Sequence, residues 1–146
     1  MTSDTPSSAQ ALCAPPEPWF RWLDGARSPF LNMAVDQTLL ETAAERGRPI
    51  LRLYDWDRPA VSIGYVQHAA RVEHGGRVLV RRPTGGGIVY HDHDVTYTVA
   101  LPPAHWIGRE DRITSYHWIN RAVQAGLSSV RLSSSLSDAA IPRSVD

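Results

Sequence analysis

The sequence has no lysine, and all fifteen of its cationic side chains are arginine. It has one cysteine, Cys13, which excludes an internal disulfide and fits a reducing compartment. Fifteen acidic residues bring the formal net charge to zero. No global field therefore draws the chain to nucleic acid or to an acidic membrane, and any cationic function must be local. No apolar run approaches the roughly 18–20 residues that a membrane span requires. The N-terminus lacks a charged segment followed by an apolar core, so it does not read as a signal peptide. These absences describe a soluble, cytoplasmic chain with no nucleic-acid or membrane partner. Its 146 residues suit one domain with a real core.

What is present is unevenly distributed. Residues 1–18 are rich in Ser, Thr, Ala and Pro and read as a disordered leader that contains Cys13. Trp19-Phe20-Arg21-Trp22-Leu23 reads as a short aromatic strand ended by Asp24-Gly25. Ser28-Pro29 has the form of a helix N-cap followed by proline at the first helical position. The spacing of Phe30, Met33, Ala34, Leu40 and Ala44 predicts a helix from Pro29 to Arg46, with Phe30 and Met33 in the core. Gly47 and Pro49 stop it. Strands are predicted over 50–56, 60–65, 77–82, 88–91 and 95–101. In the first of these, Leu51 and Leu53 point one way, and Arg52 and Tyr54 the other. Gly64 closes the second strand, a position that often marks close backbone approach or a bulge.

A second helix is predicted from Thr114 to Gly126, burying Tyr116, Ile119, Val123 and Leu127. A serine-rich segment, 128–146, follows it. The strand-turn-strand spacings are too short for parallel crossovers. The expected fold is α+β, a largely antiparallel sheet flanked by helices.

The most informative stretch is Arg81-Arg82-Pro83-Thr84-Gly85-Gly86-Gly87-Ile88-Val89-Tyr90-His91-Asp92. Three consecutive glycines expose backbone N–H groups with no Cβ in the way and accept positive φ freely. Such a loop can lie flat against a ligand as a nest of donors for an anion or a carbonyl oxygen. Arg81 and Arg82 add positive charge and planar forks suited to a carboxylate or phosphate, and Pro83 biases Arg82 towards an extended backbone. The same residues also fit a plain glycine-rich hairpin with two surface arginines. No helix follows the glycines directly, which argues against a dinucleotide-binding Rossmann turn.

His91 and His93 would share a strand face and suit zinc or iron. His68, His74, His105 and His117 have no diagnostic spacing for further ligands, so no metal is assigned. No serine sits in a Gly-x-Ser-x-Gly elbow, so no serine nucleophile is assigned either.

Arg81 to Asp92 resembles the Arg-Arg-x-[Ser/Thr]-Gly-Gly-Gly-x-Val-x-His-Asp signature of the lipoate–protein ligase and octanoyltransferase family, related to biotin–protein ligases. Asn32-Met33-Ala34-Val35-Asp36 resembles the family's Asn-Met-Ala-x-Asp helix. Residues 54–67, with Trp56, Pro59, Ser62, Gly64 and Gln67, resemble its Trp-x-x-Pro-x-x-Ser-x-Gly-x-x-Gln hairpin. The resemblance covers residues 19–127 and implies a mixed, mostly antiparallel sheet flanked by helices, of the biotin/lipoate–protein ligase kind. It also implies protein lipoylation, the attachment of an octanoyl or lipoyl group to a lysine of lipoyl-domain proteins. By the same resemblance, Arg82, Thr84, Gly85, Gly86, Gly87, His91 and Asp92 bind the acyl group or its adenylate. The glycines would line an acyl tunnel whose apolar walls contribute about 0.8 kcal/mol per buried CH2. Arg82 would touch the carboxylate or phosphate side, with Thr84 hydrogen-bonding nearby. His91 and Asp92 would close the loop's far end.

His91-Asp92-His93-Asp94-Val95-Thr96-Tyr97-Thr98 is closer to the octanoyltransferase pattern His-Asp-x-Glu-Leu-Thr-Tyr-Ser than to the ligase pattern His-Asp-x-Gly-Asn-Thr. That branch takes octanoyl from octanoyl-acyl carrier protein and binds no cofactor. The alternative, an ATP-dependent ligase of free lipoate, needs ATP and magnesium. The sequence also departs from the family. The family carries a lysine in a Gly-x-Lys-[Ile/Val]-x-Gly-[Ser/Ala] motif beyond the second helix, and the transferase branch adds a nucleophilic cysteine before it. Neither residue follows Cys13 here, so the resemblance implies no catalytic residue in this chain. It is expected to be an N-terminal portion, incomplete at its C-terminus, with 128–146 a truncated tail. A third alternative is a non-catalytic fragment that binds an acyl chain or a lipoyl domain.

Overall fold

The computed structural model describes residues 17–136. Cys13, most of the leader 1–18 and the later part of the serine-rich segment lie outside the described residues. The chain divides into two compact units, Met1–Pro102 and Pro103–Asp146.

The first unit carries β1 (Phe20–Arg27), α1 (Pro29–Glu41), α2 (Ala43–Arg46), β2 (Ile50–Trp56) and β3 (Ala60–Ile63). A 3-10 turn at Ala69–Arg71 leads to β4 (Val78–Arg81), β5 (Val89–His91) and β6 (Thr96–Ala100). Two three-stranded sheets form, ordered β1-β2-β6 and β4-β3-β5. The α+β class with mixed sheets and helices is as expected. Strand direction is more even than expected, since each central strand has one parallel and one antiparallel neighbour. The parallel pairs arise because α1 and α2 link β1 to β2, and residues 64–77 link β3 to β4. Both connections are long enough to carry the chain back to the same end of its sheet.

α1 begins as its sequence dictates. Ser28 caps it, its Oγ accepting from the Leu31 N–H at 3.3 Å, and Pro29 follows in the first turn. The helix breaks at Thr42, and α2 ends at Gly47 with φ of 64°, the left-handed cap that glycine adopts without cost. Its inward face differs from the apolar spacing. Pro29, Asn32, Met33, Asp36 and Leu39 are buried, whereas Phe30 is 67% exposed and Leu40 and Ala44 also face solvent. Two polar residues took the core side because a buried cation waits for them.

That cation is Arg52. Along β2 the enclosed face is Ile50, Arg52 and Tyr54, while Leu51 and Leu53 are only half-buried. Arg52 donates to Asp24 Oδ2 from Nε and Nη2 at 2.9 and 2.6 Å, and from Nη1 to Asp36 Oδ1 at 2.7 Å. Nη2 also reaches Asn32 Oδ1 at 2.7 Å, and the Tyr54 hydroxyl donates to Asp36 Oδ2 at 2.9 Å. β1 does not end at Asp24-Gly25 but runs on through a bulge. The register skips Asp24, between Leu23 opposite Leu53 and Gly25 opposite Tyr54, and the carboxylate turns inward. Burial pushes the Asp24 carboxyl up, but hydrogen bonds and charge from Arg27 and Arg52 outweigh that and hold it below its usual value. Burial, reinforced by the Asp36 charge, raises the Tyr54 hydroxyl well above its usual range.

The apolar part of this sheet packs around Leu39, Ile50 and Ala100, with Trp22 and Val35 against them. In the other sheet the whole of β3 is buried.

The second unit holds α3 (Trp106–Arg109) and α4 (Arg112–Ser129). Asp111 caps α4, accepting from the Ile113 and Thr114 N–H groups, so the helix starts two residues before the expected Thr114. None of its residues is fully buried, and Tyr116 and Val123, expected in the core, are exposed. Ile119 and Leu127 of the same stripe are half-buried. Trp118 meets Trp106 edge to face, with ring centroids 5.1 Å apart. No described helix is long and apolar enough to cross a membrane.

Candidate functional site

The glycine loop projects between β4 and β5 and is tied down on both sides. β3 delivers Gly64 against it. A Cβ built on Gly64 would lie 2.2 Å from the Gly86 carbonyl oxygen and 3.0 Å from Gly85 C, so only glycine lets these backbones meet. The Tyr65 N–H donates to the Thr84 carbonyl at 2.8 Å and seals the contact. Gly86 sits at φ of 102°.

The two arginines of the motif brace this arrangement. Arg81 Nη1 reaches the carbonyls of Gly64, Tyr65 and Gln67 at 3.0, 2.7 and 2.7 Å. Among the described residues Arg81 pairs with no carboxylate. Arg82 Nη1 donates to the Ser62 carbonyl and hydroxyl at 2.9 and 2.6 Å. Its Nη2 donates to the Gly87 carbonyl at 2.7 Å and more weakly to Gly85 at 3.4 Å. The Gly85 and Gly87 carbonyls turn to Arg82 and the Gly86 carbonyl to Gly64, and no hydrogen bond donated by the three glycine N–H groups is found among the described residues. Three backbone donors beside two guanidinium groups make a seat for an oxygen carrying negative charge.

The remaining expected site residues separate. Thr84 is exposed and enters the contact through its carbonyl rather than its hydroxyl. His91 is buried, stacked on Trp56 with centroids 4.0 Å apart. Its Nε2 lies 2.7 Å from Ser62 Oγ, and its Nδ1 lies 2.8 Å from Asp94 Oδ2. Asp92, its neighbour in sequence, turns outward and pairs with Arg77 at 3.1 Å. The Arg77 hydrogen bond holds the Asp92 carboxyl below its usual value. β5 ends at His91, so His93 does not continue a strand face. Among the described residues no three His, Cys, Asp or Glu side chains come together as metal ligands.

Thr84 to Tyr90 are all exposed, so the described residues present an open shelf at the loop. Tyr65 and Val66 on one flank, and Ile88, Val89 and Tyr90 on the other, give that shelf an apolar surface. A depression of about 320 Å3 belongs instead to α4, lined by Ile113, Thr114, His117, Trp118 and Arg121. Sequence reasoning passed over Ser62, Gln67 and Asp94 as site residues. Ser62 and Gln67 lay inside a quoted motif, but only the pairing of β3 with β5 shows that Ser62 meets His91.

Residues 28–140 match the family described as the lipoyl protein ligase A/B catalytic domain, which is most of the chain. The chain belongs to that family. An octanoyltransferase LipM from Moorella thermoacetica is 40% identical over 121 residues, 77% of this chain and 44% of that protein. A LipM from Kyrpidia tusciae is 41% identical over 112 residues, 70% of this chain and 40% of that protein. This lipoyl ligase A/B chain thus spans less than half the length of these relatives. A crystal structure of lipoate–protein ligase A bound with ATP superposes with a TM-score of 0.68 at 29% identity, over 84% of this chain and 52% of the other. A bi-partite lipoate protein ligase from Thermoplasma acidophilum, described with its E2 lipoyl domain, gives 0.62 at 29% identity, over 82% and 48%.

Proposed function

We propose that this chain carries the acyl-binding part of an octanoyltransferase of protein lipoylation. Octanoyl-acyl carrier protein is the donor, and a lysine of a lipoyl-domain protein is the acceptor. The observation that carries the reading is the loop Gly85–Gly87 itself, whose Gly85 and Gly87 carbonyls turn to Arg82 while its residues stay exposed. An acyl carbonyl gains negative charge on oxygen as it is attacked, and preorganised donors are worth most at that moment. The exposed apolar shelf of Tyr65, Val66, Ile88 and Val89 suits the hydrocarbon chain beside it. The curated relatives favour transfer of octanoyl. Within this reading the chain's role is to bind and orient the acyl group, the protein works in the cytoplasm, and no bound cofactor is required.

The ATP-bound ligase neighbour supports a second reading, activation of free lipoate. The same N–H groups and guanidinium charge fit a phosphate oxygen, and ATP with magnesium would supply the adenylate. No described cluster is assigned to the metal.

The deciding measurement titrates the 146-residue chain with octanoyl-acyl carrier protein, then with lipoate and ATP. Saturable binding of the first, weakened at least about tenfold by Arg82→Ala, is expected, since the bracing contacts are charge-assisted. Binding that needs ATP transfers the site to the ligase reading. No binding of either ends both.

A further inference from the structure

Behind the loop, a line of hydrogen bonds runs from the surface into the fold. Asp94 Oδ2 lies 2.8 Å from His91 Nδ1, His91 Nε2 lies 2.7 Å from Ser62 Oγ, and Ser62 Oγ lies 2.6 Å from Arg82 Nη1. The two ends fix the direction of the outer bonds. A guanidinium has no acceptor, so Arg82 donates to the Ser62 hydroxyl. A carboxylate has no donor, so the His91 Nδ1–H donates to Asp94. The middle bond then closes when the Ser62 hydroxyl donates to a bare Nε2. A proton on Nε2 would fill the second lone pair of Ser62 Oγ and leave the serine's own proton without the Nε2 acceptor. Ser62 is fully buried, so water does not repair such a mismatch.

The imidazole is held in this setting from its face and its edge. Trp56 stacks on it at 4.0 Å and donates from Nε1 to Thr96 Oγ1 at 2.8 Å; the Thr96 hydroxyl donates in turn to Asp94 Oδ2 at 3.0 Å. The order Asp–His–Ser matches a hydrolase triad, but the chemistry does not. The serine oxygen is shut away from solvent and already accepts from Arg82, so no substrate carbonyl reaches it.

We infer that Ser62, directly, and Asp94, through His91 and Ser62, are positioning residues that fix the Arg82 guanidinium and thereby the ordered form of the loop Gly85–Gly87. The relay acts at the carbonyls of Gly85 and Gly87, which Arg82 holds, and so sets which way the loop's N–H groups are offered. Its consequence for acyl binding rests on the proposed function; the ordering of the loop does not, and the two are measured separately.

The test uses the full 146-residue chain labelled with 15N. Imidazole 15N shifts give the His91 tautomer, amide relaxation gives the order of Gly85–Gly87, and titration with octanoyl-acyl carrier protein gives affinity. The expected wild-type tautomer is Nδ1–H. Ser62→Ala should raise glycine-amide motion and weaken octanoyl binding by about fivefold, the worth of one net hydrogen bond. Ser62→Thr, which keeps the hydroxyl, should restore both. Asp94→Asn, at a partly exposed site, should mix the His91 tautomers and loosen the same amides. It decides alone if Ser62→Ala does not fold. An Nε2–H tautomer in the wild type, or glycine amides unchanged in a folded variant, overturns the inference. Loosened glycines in a chain that binds no octanoyl group uphold the positioning role and sink the acyl reading instead.

Discussion

Arg52 lies in β2 and Arg82 just after β4, and they use the same five-donor fork in different ways. Arg52 is enclosed by two carboxylates and an amide, so its charge is cancelled and all its donors are spent on holding β1, α1 and β2 together. Arg82 sits half-buried, and its contacts include the Ser62 carbonyl and hydroxyl and the Gly87 carbonyl. The first arrangement fixes register; the second shapes a surface. A guanidinium that gathers side chains from three elements locks their register, whereas one that reaches the carbonyls of a single loop sets the shape of that loop. A lysine would serve neither place well, since its single ammonium cannot span acceptors spread across a plane.

The comparison can be broken by changing either side. Arg52→Met should cost most. It leaves Asp36 buried without a counter-ion and Asp24 with Arg27 alone, a loss of about 3–5 kcal/mol, read from the urea midpoint. Octanoyl affinity per folded molecule should stay near wild type; a collapse would show that the two arginines are one system. Gly64→Ala comes next, because its Cβ would meet the Gly86 carbonyl oxygen at 2.2 Å and the loop must move. We expect about 1–3 kcal/mol of destabilisation, as for overpacking, with displaced Gly85–Gly87 amide signals. An unmoved loop would show that the contact between Gly64 and the loop is looser than described.

A smaller effect follows pH. The native Asp24 carboxyl titrates below its ordinary 3.8, so the stability it contributes is present above that pH and is lost as pH falls towards the lower native value. Urea midpoints measured downward from pH 5 should fall more steeply for the wild type than for Asp24→Asn. Parallel curves would remove Asp24 from the buried network. The smallest change is expected for Asp92→Asn. It breaks an exposed pair with Arg77 and should leave both midpoint and octanoyl binding unaltered. A clear loss of binding would restore Asp92 to the site and shift weight from Asp94.

Much of the local structure was legible in the chain. Ser28-Pro29 announced α1, Gly47 ended α2, and Ile50–Trp56 and the glycine at 64 were read in their right places. Those signals are local: a cap, a left-handed turn, an alternating pattern, a missing side chain. The inward face of α1 was not legible, because apolar spacing assumes an apolar core, and the enclosed positions here include Asn32 and Asp36 paired with a cation twenty residues away or fewer. The choice of Asp94 over Asp92 was hidden for the same kind of reason. Both follow His91 closely, and only the turn after β5 decides which carboxylate comes back to the ring.

By itself, then, the sequence determined the ingredients: arginine as the sole cation, a triple glycine able to lie flat, and motifs that match the lipoyl ligase A/B family. Tertiary structure decided what each ingredient touches. Laying β3 between β4 and β5 puts Ser62 between Arg82 and His91, and puts Gly64 against Gly86. Hydrogen bonds act over about 3 Å. A role that depends on them exists only once strands distant in sequence have been brought side by side.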